Sequence, residues 1–277
     1  MRLGPRAQVI LAALIWGSTG IYVKKIGLPP ATIAFFRLIV PAALIFMISS
    51  RKWDLIMKAP PLLIAGSVVN ALSTLFYYTG FSNTSVGNAI ILLYMWPIFT
   101  ALLSHAALGE AVSRRLAAGL LMSFAGVVIV YSGHELSFSD RDFLGMSFML
   151  ASAATCAIFY TLVKKESEGF GWRELVFYQT AAGAVLFTPA FLIARPFPTI
   201  AQTVITVLFT LLIGLVAFSL FFRALRELPV SKASHIAYFE VLAGIGFAVL
   251  FLGESISHTL LAGGALIIGS QAIAAKD

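Results

Sequence analysis

Within the eleven residues VSKASHIAYFE (230–240) lie Lys232, His235 and Glu240, three ionisable side chains in a chain that is 60% hydrophobic and 11% charged. An ammonium, an imidazole and a carboxyl in apolar surroundings can carry a proton, pair with one another, or meet the charged end of a solute. Arg37, in IAFFRLIVPAAL (33–44), is another cation set deep in apolar sequence. Around these groups stand aromatic and amide side chains away from segment ends: Trp16, Asn70, Tyr78, Tyr94, Trp96, Tyr160 and Tyr238. Ring faces take apolar or cationic groups, and hydroxyls and amides meet carboxylate or amine. The set therefore suits an amphipathic organic solute such as an amino acid. It suits a phosphate-bearing solute less well, because that calls for paired deep cations and only Arg37 and Lys232 are on hand.

The elements that must hold these residues are membrane helices. A mean hydropathy of +0.95 with 23 Phe lies far from soluble domains, in which about a quarter of residues are charged. Crossing a hydrocarbon core takes about 20 apolar residues. Ten such stretches fall at roughly 7–23, 31–50, 61–81, 84–107, 114–132, 143–163, 174–194, 201–222, 230–252 and 258–275, the weakest boundary being SNTS (82–85). The connections are too short for a soluble domain, so function must be built within the bilayer. The formal net charge of +7 has an explanation in orientation and calls for no nucleic-acid partner. With the N-terminus inside, Arg51, Lys52, Lys58, Arg114, Arg115, Lys164, Lys165 and Arg173 gather on the cytoplasmic side with both termini, against Lys24, Lys25, Arg141 and Arg195 outside. A multi-pass protein of the cell's inner membrane is expected, working as a single chain in its lipid bilayer. Cys156 is the only cysteine; it excludes an internal disulfide or a CxxC site and reads as a small packing residue. No cofactor is implied.

Depth separates the candidates. Glu240 lies about ten residues into the ninth span, roughly 15 Å from the interface and near the midplane; Arg37 lies about six residues into the second, roughly 9 Å deep. A charge at helix centre costs about 2.5 to 3.5 kcal/mol on insertion scales. Glu240 is therefore neutral, paired or facing water, and a contact with Arg37 is one expectation. Lys232, two residues into its span, either snorkels to the headgroups or lines a cavity. His235 either hydrogen-bonds a neighbouring helix or looks into that cavity. At about 100° per residue Lys232, His235 and Tyr238 share a stripe, while Glu240 points about 140° away from His235.

Sliding the chain on itself by 140 to 144 residues brings its halves into register. AALIWGSTGIYVKK (12–25) meets SAATCAIFYTLVKK (152–165), IAFFRLIVPAAL meets LVFYQTAAGAVL (175–186), VGNAIILLYMW (86–96) meets VSKASHIAYFE, and LGE (108–110) meets LGE (252–254). A repeat of five spans is odd, so the second copy starts from the opposite face, and the pair is inverted. The first span has a partner in the sixth, so it reads as a structural helix and not a signal peptide. The fold expected is an all-α membrane protein of ten transmembrane helices arranged as two inverted five-helix repeats, residues 1–133 and 143–277.

The stretch from Asn83 to Val130 combines a small-residue helix start, a mid-helix Pro97, the terminal LGE and a glycine-containing fifth helix. It resembles an EamA domain, and over its full length the chain is similar to the drug/metabolite transporter superfamily, within it to the YddG-type aromatic amino-acid exporter branch. The resemblance implies an alternating-access exporter with its site at the midplane between repeats. The second copy departs from the pattern, with Glu240 and Val241 where Trp96 and Pro97 stand. A nucleotide-sugar, metabolite or drug transporter on the same fold is the alternative. An intramembrane enzyme would need facing catalytic groups, but the chain has no HExxH, no Asp within a span, and scattered histidines at His105, His134, His235 and His258.

Overall fold

The computed structural model describes residues 3–49, 59–108, 114–132, 140–166, 170–195, 197–224, 227–228, 236–237 and 239–274. Ten helices follow in order. α1 runs Pro5–Gly17 and resumes as Thr19–Ile26; α2 is Pro30–Ile48; α3 is Pro61–Asn83. α4 comprises Val86–Leu93 and Trp96–Leu108, α5 is Arg114–Tyr131, α6 is Arg141–Glu166 and α7 is Trp172–Ile193. α8 runs Ile200–Leu211, passes through a π-helical turn Leu212–Ala217 and ends as Phe218–Ala224; α9 is Phe239–Leu252 and α10 is His258–Ala274. Six of these segments are long and apolar enough to cross a membrane, and the remaining four are shorter apolar helices.

Local sequence explains the starts, stops and breaks. α1, α2 and α3 begin with proline in the first turn, where its missing N–H has no intrahelical partner to lose. Ser85 accepts from the Asn88 N–H at 3.1 Å to start α4, and Thr199 with Gln202 forms a capping box on α8. Gly27 and Gly253, both at φ +68°, close α1 and α9. The break in α4 falls at Tyr94 and Met95. Pro97 has no N–H to donate to the Leu93 carbonyl, so the irregular turn lies just before the proline. α9, with Val241 at the matching position, is helical over Phe239–Leu252, and Tyr238, the counterpart of Tyr94, lies outside the described residues.

The helices present apolar side chains outward as well as inward. Leu121, Phe124, Val185 and Leu250 are 68% to 77% exposed, which in a water-soluble protein would be a broad sticky surface and in a bilayer is contact with lipid tails.

The packing pairs off between the halves. α3 packs along α6 and α8 along α1; α1 meets α9 and α4 meets α6; α3 meets α7 and α2 meets α8. Exchanging each helix with its repeat counterpart turns one member of each pair of contacts into the other. Three contacts map onto themselves: α2 with α7, α4 with α9, and α5 with α10. The last is the closest. A Cβ on Gly126 would stand 2.7 Å from the Gly263 carbonyl oxygen, and one on Gly263 would stand 2.6 Å from that of Gly126, so the two backbones touch where each has no side chain. Ser123 and Ser270 hydrogen-bond across the same interface. The fold is that of two inverted five-helix repeats in a ten-helix membrane protein.

Candidate functional site

The cavity forms where broken helices and small residues keep the bundle open near its middle. α1 stops at Gly17 and turns at Ser18 before resuming. A Cβ at Gly17 would stand 2.8 Å from the Ala243 Cβ and 3.0 Å from the Glu240 carbonyl oxygen, so the break in α1 receives the first turn of α9 and places Glu240. The break in α4 puts Tyr94 and Trp96 at the mouth of its second segment. Between these breaks lies a cavity of about 150 Å³ reachable by the centre of a water molecule. One water occupies about 10 to 15 Å³ on that measure, so there is room for about ten waters or a solute of comparable size. Among the described residues, side chains from eight helices line it, and α5 and α10, packed on one another, contribute none.

All eight candidates that fall among the described residues face this space: Trp16, Arg37, Asn70, Tyr78, Tyr94, Trp96, Tyr160 and Glu240. Lys232, His235 and Tyr238 lie outside the described residues. Trp96 and Tyr160 form one aromatic wall, their rings 5.0 Å apart, and Trp16 meets Phe218 and Phe221 edge-on at 5.0 and 5.3 Å on another. Polar bonds fix the floor between α3, α6 and α7. Asn70 donates to the Gln179 carbonyl at 2.9 Å, Ser73 to the Ser152 carbonyl at 3.0 Å, and Ser152 back to the Ser73 carbonyl at 2.9 Å.

Arg37 and Glu240 are the only acidic or basic side chains buried among the described residues, 7% and 8% exposed. The expected contact between them is not made, and no ion pair joins them. Glu240 is held instead by Tyr94, whose hydroxyl donates to the Ala237 carbonyl at 2.6 Å and to Glu240 Oε2 at 2.9 Å. The geometry explains why: α9 presents Glu240 toward the break in α4, while the Arg37 guanidinium lies over Phe218 of α8, its carbon 5.0 Å from the ring centre. Arg37 Nη1 and Trp16 Nε1 are buried without a hydrogen-bond partner.

The lining also holds Thr74, Ser152, Cys156, Gln179, Phe218 and Phe221. Cys156, expected as a packing residue, faces the cavity. The register of the repeats carried the signal, because Trp16 pairs with Cys156, Arg37 with Gln179 and Trp96 with Glu240, and both members of each pair line the site. A pseudo-symmetric site is thus made asymmetric in charge, with the cation from the first repeat and the carboxyl from the second. Among the described residues no cluster of His, Cys, Asp and Glu could hold a metal ion.

Beyond the cavity, Gly253 turns the chain at the end of α9 so that Glu254 accepts from the Val86 N–H through both oxygens, at 2.9 and 3.1 Å. The carboxylate of the second LGE thereby caps α4, in the other repeat. Its twin at 108–110 continues beyond the described residues.

The EamA-like transporter family matches residues 7–132 and again residues 143–275. The chain belongs to that family. This EamA-like transporter is 25% identical over 278 residues to an "Uncharacterized transporter" of Archaeoglobus fulgidus, covering 100% of this chain and 98% of the relative. It is 24% identical to a "Probable terminal-alkyne amino-acid exporter" of Streptantibioticus cattleyicolor, with 93% of this chain and 89% of that protein covered. A crystal structure with 18% sequence identity superposes with a TM-score of 0.67 over 98% of this chain and 96% of the other, a likeness of fold. The EamA-like transporter is a multi-pass membrane protein of the drug/metabolite transporter superfamily, and its relatives are named as transporters.

Proposed function

We propose that this transporter carries an amphipathic amino acid, aromatic ones included, out of the cell by alternating access, residues 1–133 and 143–277 rocking against each other around the cavity. The observation that carries it is the cavity itself: aromatic walls from both repeats enclose a space lined by one buried guanidinium and one buried carboxyl. A zwitterion with an apolar side chain meets all three surfaces at once. Trp16, Asn70, Tyr78, Tyr94, Trp96 and Tyr160 form the binding wall, and Arg37 and Glu240 supply charge; Lys232, His235 and Tyr238 lie outside the described residues. The relative named as an amino-acid exporter supports the substrate class. The working form is a monomer in the inner membrane with both termini cytoplasmic.

Glu240 also fits a proton-carrying role. The Tyr94 phenol has one hydrogen and faces two acceptors, and a carbonyl can only accept. A second full hydrogen bond forms when the Glu240 carboxyl brings its own proton and donates to the phenol oxygen. Uptake of a labelled amino-acid panel into proteoliposomes, with and without a pH gradient, tests the function. Saturable uptake of phenylalanine or a similar amino acid is the expected result; a panel in which no amino acid enters faster than into empty liposomes would refute the substrate class.

A further inference from the structure

Two side chains that line the cavity each carry a buried hydrogen-bond donor without a partner. Arg37 is nine-tenths buried and lines the space, yet its Nη1 has no partner and no acidic side chain pairs with it among the described residues. Trp16 Nε1 is likewise buried and unpartnered. Both touch Phe218: the Arg37 guanidinium carbon lies 5.0 Å from its ring centre, and the Trp16 ring meets the same phenylalanine edge-on at 5.0 Å. A buried guanidinium without a counter-charge is strongly unfavourable, and leaving a buried donor unsatisfied carries the full desolvation penalty. Such a corner is completed by an acceptor that arrives from elsewhere.

The backbone beside it is shaped to the same end. The π-helical turn Leu212–Ala217 interrupts α8 immediately before Phe218; insertions of this kind widen a helix locally and recur at functional sites. Within the turn, a Cβ on Gly214 would stand 2.8 Å from Arg37 Nη1 and 2.8 Å from the Pro41 ring. The glycine therefore leaves the space that the guanidinium occupies. The one deep cation here is an arginine, whose planar fork matches a carboxylate, and beside it stand a neutral indole N–H and aromatic rings. One guanidinium balances one negative charge, so a monocarboxylate fits the corner and a doubly charged phosphate leaves a charge over.

We propose that Arg37 and Trp16 form a carboxylate subsite, with Gly214 as its positioning residue, and that the transported solute is held by its carboxylate at this end of the cavity. The inference rests on the cavity being the solute site. It fixes how the solute is oriented in the cavity: the carboxylate at α1, α2 and α8, and the remainder toward Tyr94 and Glu240.

The test measures ligand-induced thermal stabilisation of the purified transporter by four probes of one shape: phenylalanine, phenylalaninamide, phenethylamine and 3-phenylpropionate. Charge-assisted hydrogen bonds predict that the two carboxylates bind at least about tenfold tighter than the two probes lacking one. Arg37→Gln removes that preference, and Gly214→Ala weakens it while leaving the arginine in place. If phenylalaninamide binds wild type as well as phenylalanine, or no carboxylate binds, the subsite is wrong; neither comparison depends on a variant folding. If 3-phenylpropionate binds and loses its preference in Arg37→Gln while phenylalanine does not bind, the subsite stands and the amino-acid substrate falls.

Discussion

A transporter with one buried carboxyl should move one proton, and that sets a number. Glu240 is the single buried acidic side chain among the described residues, and the Tyr94 hydroxyl divides one hydrogen between it and the Ala237 carbonyl. If Glu240 is the carrier, each solute crossing is coupled to one proton. A gradient of one pH unit supplies about 1.36 kcal/mol per proton, which is about tenfold in a concentration ratio. Proteoliposomes holding wild-type protein, given one pH unit and no membrane potential, should therefore concentrate a zwitterionic substrate about tenfold in one polarity and deplete it in the other. Glu240→Gln retains the size and an acceptor for Tyr94 but cannot release a proton. It should equilibrate the same labelled substrate to a ratio of about one, with downhill movement preserved. Glu240→Asp, shorter by one methylene, should lose the Tyr94 contact and slow transport without abolishing accumulation. Tenfold accumulation by Glu240→Gln would refute the assignment. A wild-type ratio near a hundredfold would mean a second carrier, with His235 the first to examine.

Gly263→Ala should overpack the α5–α10 contact, since its Cβ would lie 2.6 Å from both the Gly126 carbonyl and Val130 Cγ2. A loss of about 1 to 3 kcal/mol should lower the melting temperature of the purified protein, while Gly246→Ala, with nothing within 4 Å of its Cβ, should not. Glu254→Ala removes the acceptor of the Val86 N–H at the start of α4 and should cost about 1 to 3 kcal/mol, read as faster amide exchange at Val86. Cys156, the chain's one cysteine, lines the cavity; labelling by a small thiol reagent in membranes should slow in the presence of saturating substrate.

The amino-acid order carried most of this architecture because two signals were strong. Ten apolar runs marked the helices, and the repeat register marked which of them were equivalent. That register even held the cavity residues passed over individually, Cys156 and Gln179, since each is the counterpart of a residue whose chemistry was conspicuous. What it could not carry was distance across the bundle. Depth placed Arg37 and Glu240 near one another along the membrane normal, but depth says nothing about lateral separation. The break in α4 that turns Tyr94 toward Glu240, and the π-helical turn that opens α8 beside Arg37, decide that the two charges face the cavity separately. Neither irregularity follows from periodicity. Pro97 announced the first only approximately, and Gly214 had no reason to stand out among 22 glycines until the space it leaves was visible.

The contact of Gly126 with Gly263 has a consequence for chains cut in half. A helix pair that maps onto itself under the exchange of repeats is an isologous interface, the kind made by two identical subunits. Each repeat therefore carries, on its fifth helix, a surface shaped to grip a near-copy of itself. The first repeat expressed alone should seek such a partner, and it could satisfy the contact only if a second molecule entered the bilayer upside down. The charge bias of the connecting segments opposes that in any one polypeptide. Joining the two copies in tandem removes the conflict, because an odd number of spans forces the second copy to enter inverted.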